Sequence, residues 1–131
     1  MISCAEVGMC GVLEHIVCEK DLATAWRNNV PVLATPILLW LAELAAMKAV
    51  EEDMPDGVMT VGMSHSMRHL APTPIGFSVL VEAKVTAVVG SFITFDVTAH
   101  NGSELILLGT HERAIVERDR FLARIGRKRC D

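Results

Sequence analysis

Glu43 is the single charged residue between Pro36 and Met47 in the stretch "ATPILLWLAELAAMKAV", residues 34–50. On a helix its neighbours three and four positions away are Leu39, Trp40, Ala46 and Met47, and those seven away are Pro36 and Val50. All are apolar. Desolvating an unpaired carboxylate costs several kcal/mol, so the position needs a reason. It is a solvated acid, a structural acid bonded to backbone or a basic partner, or a carboxylate that acts as general base or nucleophile. A solvated acid normally has polar company, and the pattern favours the functional carboxylate.

Two further residue types suit the same chemistry. Thr35 opens the helix, where it is expected as the N-cap with Pro36 at N1. Capping alone would account for it, although a helix N-terminus also offers N–H groups and a positive dipole end to a developing oxyanion. His69 closes a strand just before "LAPTPIG", at a sheet edge where loops make sites. A lone histidine on an apolar strand face is more commonly a satisfied core or interface residue. His65 shares its parity, but about 13 Å of strand separates the two, so the pair cannot chelate one metal. No metal is expected.

The elements that must position these residues follow from periodicity. A first strand is expected within residues 7–18, "VGMCGVLEHIVC"; "EKDLATAWRNNVPVL" then reads as irregular, with room for one short helical turn. The helix should run from Thr35–Pro36 to about Glu52 and end at "DMPDG". After it the period changes from helix to strand. Met59, Val61, Met63 and Met67 share one face with His65 and His69; Phe77, Val79, Val81, Ala83, Val85 and Ala87 share another. Gly90-Ser91 turns the chain into a strand with Ile93, Phe95, Val97 and Ala99 inward, and Asn101-Gly102 is a hairpin turn into "SELILLGTHERAIV". The order is strand, long apolar helix, then at least four strands, an α+β arrangement in which the sheet buries one face around the helix.

Composition bounds the rest. A chain of 131 residues with 51% hydrophobic and 21% charged residues suits a single globular domain over 1–131. The longest apolar run is interrupted by Glu43 and too short for a bilayer, and the N-terminus lacks a basic segment followed by a long apolar one, so neither membrane insertion nor secretion is expected. Cys4, Cys10, Cys18 and Cys130 show no CxxC spacing and read as free thiols in a reducing cytoplasm. A net charge of −4 does not suggest nucleic-acid binding. Yet "RDRFLARIGRKRC" holds six of the twelve basic residues: Arg118, Arg120, Arg124, Arg127, Lys128 and Arg129. That segment is either a solvated helix or tail, or an edge that attracts phosphate.

"ATPILLWLAE", "TVGMSHSMRHLAPTPIG" and "GTHERAIVERDRF", in that order across residues 30–121, resemble the hot-dog-fold thioesterases of the fluoroacetyl-coenzyme A thioesterase type. The resemblance implies a curved antiparallel sheet of about five strands wrapped around one long helix, working as a homodimer. It implies hydrolysis of an acyl-coenzyme A thioester, with coenzyme A present only as part of the substrate. The family's catalytic threonine, glutamate and histidine fall on Thr35, Glu43 and His69. The glycine whose N–H faces the thioester falls on Gly62. His111 is a motif residue to which no catalytic role is carried over. The fluoroacetate-specific enzyme bears a phenylalanine lid ahead of its threonine; here "TAWRNNVPVL" has Trp26 as its only aromatic and Asn29 nearer the helix, so fluoroacetyl specificity does not transfer. The alternatives are a non-catalytic acyl-coenzyme A-binding module and a hot-dog dehydratase or hydratase. Eight helical residues rise about 12 Å, so Thr35 and Glu43 of one chain cannot easily touch, and a dimer partner would complete a compact site.

Overall fold

The alternating segments fold into antiparallel strands, and the one long apolar run folds into the helix they curl around. In the computed structural model, which describes residues 4–128, the order is β1 (Cys10–Ile16), α1 (Thr35–Val50), β2 (Val58–His69), β3 (Ser78–Val89), β4 (Phe92–Asn101), β5 (Glu104–Glu117) and α2 (Arg118–Gly126). The strands form one sheet in the order β1-β3-β4-β5-β2, with every pairing antiparallel. Consecutive hairpins make β3, β4 and β5 neighbours, while β1 and β2 become the two edges. No helix among the described residues is long and apolar enough to cross a membrane.

The core lies between α1 and the inner face of the sheet. Leu38, Leu41, Ala42, Ala45, Ala46 and Val50 of α1 are buried against Val79, Val81, Ala83 and Val85 of β3 and Ile93, Phe95, Val97 and Ala99 of β4. The small residues on α1 let it approach the sheet closely. Gly11 of β1 completes that fit, because a Cβ there would overlap the Ala45 carbonyl and the Ala49 amide. Ahead of α1 the chain makes two 3-10 turns, Glu19–Asp21 and Ala23–Trp26, rather than one. Buried Asp21 fixes this segment: its carboxylate accepts from the Cys18 N–H and pairs with His15, and its carbonyl accepts from Ala34 N–H. Burial pushes the Asp21 carboxyl up, but those hydrogen bonds outweigh it and hold it below its usual value.

Three expectations need correction. Thr35 is not the N-cap: Ala34 takes that position in extended conformation, and Thr35 is already helical with its hydroxyl turned elsewhere. Phe77 is half-exposed, because it lies in the turn after Gly76 and precedes the pleat of β3. The parity of β2 also changes along its length. Gly62 pairs with Arg113 but Ser64 pairs with Glu112, so Met63 is the extra residue of a β-bulge. Before the bulge the even residues Thr60 and Gly62 face α1; after it the odd residues His65, Met67 and His69 do. Met59 and Met63 are accordingly exposed, at 38% and 53%. Cys4, Cys10 and Cys18 are free thiols, and Cys130 lies outside the described residues.

Candidate active site

Glu43 projects from the middle of α1 towards the bulged part of β2. Opposite it Gly62 carries no side chain, and a Cβ there would overlap Glu43 Oε1. The carboxylate therefore sits directly against the Gly62 backbone. Its position is held from the neighbouring strand. Arg113 Nη1 donates to Glu43 Oε1 at 3.0 Å, Arg113 Nε donates to Thr60 Oγ1 at 2.9 Å, and Nη2 donates to the Thr60 carbonyl at 3.0 Å. The guanidinium is nearly fully buried, whereas the Glu43 side chain keeps about a third of its surface exposed. Burial lowers the Arg113 pKa and the Glu43 charge opposes that, so Arg113 is a fixed cation at neutral pH.

His111 and His65 complete this cluster. The His111 ring is fully buried and stacks on His65 with centroids 4.1 Å apart. Its Nδ1–H donates to the Ser64 carbonyl at 2.8 Å, leaving Nε2 to accept from Arg113 Nη1 at 3.2 Å. Burial, with smaller contributions from nearby charges, holds its pKa down to about 4. Glu43, His65 and His111 bring potential metal-ligand atoms within 4.8 Å of one another. The spacing of His65 and His69 gave no hint of this grouping. A cation would have to share that space with the Arg113 guanidinium, which already bonds both Glu43 and His111 and repels a second positive charge.

The other expected residues meet at the N-terminal end of α1. Thr35 Oγ1 and His69 Nδ1 are hydrogen-bonded at 2.8 Å. Burial lowers the His69 pKa, with the Ala71 backbone pulling weakly the other way, so the imidazole is neutral at pH 7. Its Nε2 is buried without a hydrogen-bond partner among the described residues. The two residues face an open cavity of about 530 Å³ walled by Trp26, Val30, Leu33, Leu70 and Pro72. The loop beneath it is fixed: Leu33 N–H donates to the Thr73 carbonyl, and buried Asn101 Nδ2 donates to Thr73 Oγ1 at 2.9 Å. Of the four residues singled out in the sequence, one chain thus brings Thr35 to His69 and Glu43 to Gly62. The two pairs stand about two helical turns of α1 apart.

A profile of the fluoroacetyl-CoA-specific thioesterase family matches residues 17–119. The chain belongs to this family. It is a hot-dog-fold thioesterase, a thioester hydrolase. The fluoroacetyl-CoA thioesterase of Streptantibioticus cattleyicolor is 34% identical over 97 residues, covering 74% of this chain and 70% of that protein. A solved structure of fluoroacetyl-CoA thioesterase superposes with a TM-score of 0.88 at 28% identity, covering 96% of this chain and 98% of that one. A thioesterase superfamily member from Thermus thermophilus, described as a hypothetical protein, also gives 0.88, at 26% identity over 97% of this chain and 94% of its own.

In this thioesterase, the sequence pattern passed over Arg113 and Thr60, set His65 beside His69 only as an excluded metal pair, and left His111 without a role. A signal was present. In "GTHERAIV" the residues His111, Arg113 and Ile115 alternate on one pleat, so two polar side chains had to point where the apolar one points. A buried arginine demands an acceptor, and the unexplained acid of α1 is that acceptor.

Proposed function

We propose that this protein hydrolyses the thioester of a small acyl-coenzyme A with Glu43, His69 and Thr35 as its catalytic groups and Gly62 as its oxyanion donor. The observation that carries the reading is the Glu43 carboxylate set against the Gly62 backbone and clamped by buried Arg113. A thioester carbonyl beside Gly62 would lie within reach of both the carboxylate and a backbone N–H. Glu43 then acts in one of two ways. As general base it takes a proton from water, whose oxygen adds to the acyl carbon; collapse of the tetrahedral intermediate breaks the C–S bond. As nucleophile it attacks the acyl carbon itself, expels the coenzyme A thiolate and leaves an anhydride for water to open. In the first route His69 relays the proton taken up by Glu43 to the departing sulfur; in the second, neutral His69 takes a proton from the water that opens the anhydride and passes it to the coenzyme A thiolate. In both, Thr35 orients the imidazole or the substrate carbonyl. Arg113 keeps the carboxylate in one rotamer. No cofactor beyond the substrate's own coenzyme A is required, and turnover should survive a chelator.

The same reading calls for a homodimer. On one helix Thr35 and Glu43 are about 12 Å apart, too far for a single reacting carbon. β2 is an edge strand of twelve residues, and a second copy pairing along it would bring one subunit's His69 end to the other's Gly62. The acyl group would occupy the cavity next to Thr35, whose apolar walls suit a short, branched or aromatic acyl chain. We place the enzyme, as a single domain, in the cytoplasm.

Assay over a panel of short, branched and aromatic acyl-coenzyme A thioesters tests the proposal. Hydrolysis of at least one by wild-type protein, with kcat lowered about 10²-fold or more in folded Glu43→Gln, is the expected outcome. Tight acyl-coenzyme A binding without turnover would mean a binding module. Water added to an enoyl thioester, with the thioester intact, would mean a hydratase.

A further inference from the structure

We propose that the cavity between α2 and the end of β5 binds the phosphate-bearing nucleotide end of coenzyme A, an assignment that rests on the thioesterase reading above. The cavity holds about 430 Å³ and is lined by Arg120, Arg124 and Arg127 together with Phe121, Ser91 and Glu117. That volume is in the range of small-molecule sites. At roughly 100° per residue Arg120 and Arg124 of α2 and Arg127, which caps its C-terminal end, fall within an arc of about 60°, so the three side chains share one face. Among the described residues none of the three is ion-paired; the ion pair on this helix is the long Arg118–Asp119 contact at 4.0 Å. Against the single carboxylate of Glu117, three cations around one concavity leave an excess of positive charge that an entering anion offsets. The effect is local, because the chain carries sixteen acidic residues against twelve basic ones, and half of the basic residues lie in the last fourteen positions.

The lining says more than "anion". Guanidiniums bind phosphate oxygens through paired N–H donors, which suits a group with several phosphates. The Phe121 ring, with Ile115 and Val116 beside it, gives an aromatic and aliphatic wall that inorganic phosphate has no use for but a purine does. Ser91 and the Glu117 carboxylate offer acceptors to ribose hydroxyls or an exocyclic amine on the same wall. The location fits as well. Glu117 is four residues along β5 from Arg113, about 13 Å at strand rise, a gap that the extended pantetheine arm of the substrate would bridge to the Glu43–Gly62 end.

The Arg120→Ala/Arg124→Ala double variant tests the assignment, since both residues are exposed on α2 and alanine preserves helix propensity. Steady-state kinetics would use an acyl-coenzyme A that the wild type turns over, and the same acyl group on N-acetylcysteamine, which lacks the nucleotide. Calorimetry would measure 3′,5′-ADP and inorganic phosphate. KM for the acyl-coenzyme A should rise roughly tenfold or more with kcat unchanged, because charge-assisted hydrogen bonds are lost. The truncated thioester should be unaffected, and 3′,5′-ADP should bind the wild type more tightly than phosphate and be lost in the variant. An unchanged KM with 3′,5′-ADP affinity intact overturns the site while leaving the thioesterase reading standing. So does an equal loss on both thioesters, or phosphate binding as tightly as the nucleotide. If wild-type protein hydrolyses no thioester, the functional reading falls and calorimetry alone decides the cavity. Nucleotide binding abolished by the variant then supports it, and association with anionic phosphatidylserine vesicles but not with 3′,5′-ADP overturns it.

Discussion

At the scale of single residues, the half-buried imidazole of His69 and the fully buried one of His111 have lowered basicity from the same cause but different consequences. His69 stays neutral at pH 7 because burial disfavours its charged form. If it carries the proton in turnover, kcat should be flat near neutrality and fall only as pH drops below 6.5 into its lowered range. His69→Ala should lower kcat about 10²-fold and abolish that acid limb. A variant that keeps both rate and profile would assign His69 to packing alone. His111, held down to about 4, predicts an effect on stability instead. The unfolded chain takes up the proton near pH 6.5 and the folded one only near 4, so unfolding binds protons between those values. Stability from this group is complete above pH 6.5, falls as pH drops towards 4, and changes no further below. The difference of about 2.5 units corresponds to roughly 3 kcal/mol. Urea unfolding at pH 7, 5.5 and 4 should show the decline in wild type and a much flatter response in His111→Gln. Parallel curves would mean that His111 is protonated in the fold without penalty.

At the scale of elements, two glycines do opposite jobs. Gly62 meets the far end of the flexible Glu43 side chain, whereas Gly11 meets the backbone of α1 at Ala45 and Ala49. A methyl group at Gly62 can be accommodated by swinging the carboxylate away, which spares the fold and breaks the pairing with Arg113. A methyl group at Gly11 can be accommodated only by moving a helix off its sheet. Gly62→Ala should therefore lose activity at least tenfold with little change in Tm, and Gly11→Ala should cost about 1–3 kcal/mol in unfolding experiments. If Gly62→Ala instead unfolds the protein while Gly11→Ala does not, the close approaches have been assigned to the wrong elements. The bulge at Met63 is the device that makes Gly62 and His69 face the same helix despite their opposite parity.

At the scale of the whole molecule, the proposal that subunits share a site has a direct test. Thr35→Ala and Glu43→Gln proteins should each be inactive alone. Mixed and allowed to exchange, they should regain activity, because one of the two sites in a heterodimer then carries both native residues. Mixtures as inactive as their parents, or an active monomer in sedimentation, would show that each chain builds its own site.

Periodicity is a local property, and what it governs was legible in the chain itself. The alternation of Val79 to Val85 and Ile93 to Ala99, the turn at Asn101-Gly102 and the apolar run behind Pro36 define the meander and the helix without reference to anything distant. Family resemblance drew attention to Thr35, Glu43, Gly62 and His69, and the isolation of Glu43 posed its own question. The alternation of His111, Arg113 and Ile115 marked Arg113 as inward-facing, but only tertiary structure paired it with Glu43, seventy residues away, because the spacing within a strand does not name its partner on a helix. It alone decided that Thr35 turns to His69 rather than capping the helix, since the hydroxyl's choice of partner depends on what the fold brings within 3 Å. The facing of β2 was likewise beyond the sequence: one unpaired residue at Met63 reverses every side chain after it, and only pairing with β5 reveals which residue that is.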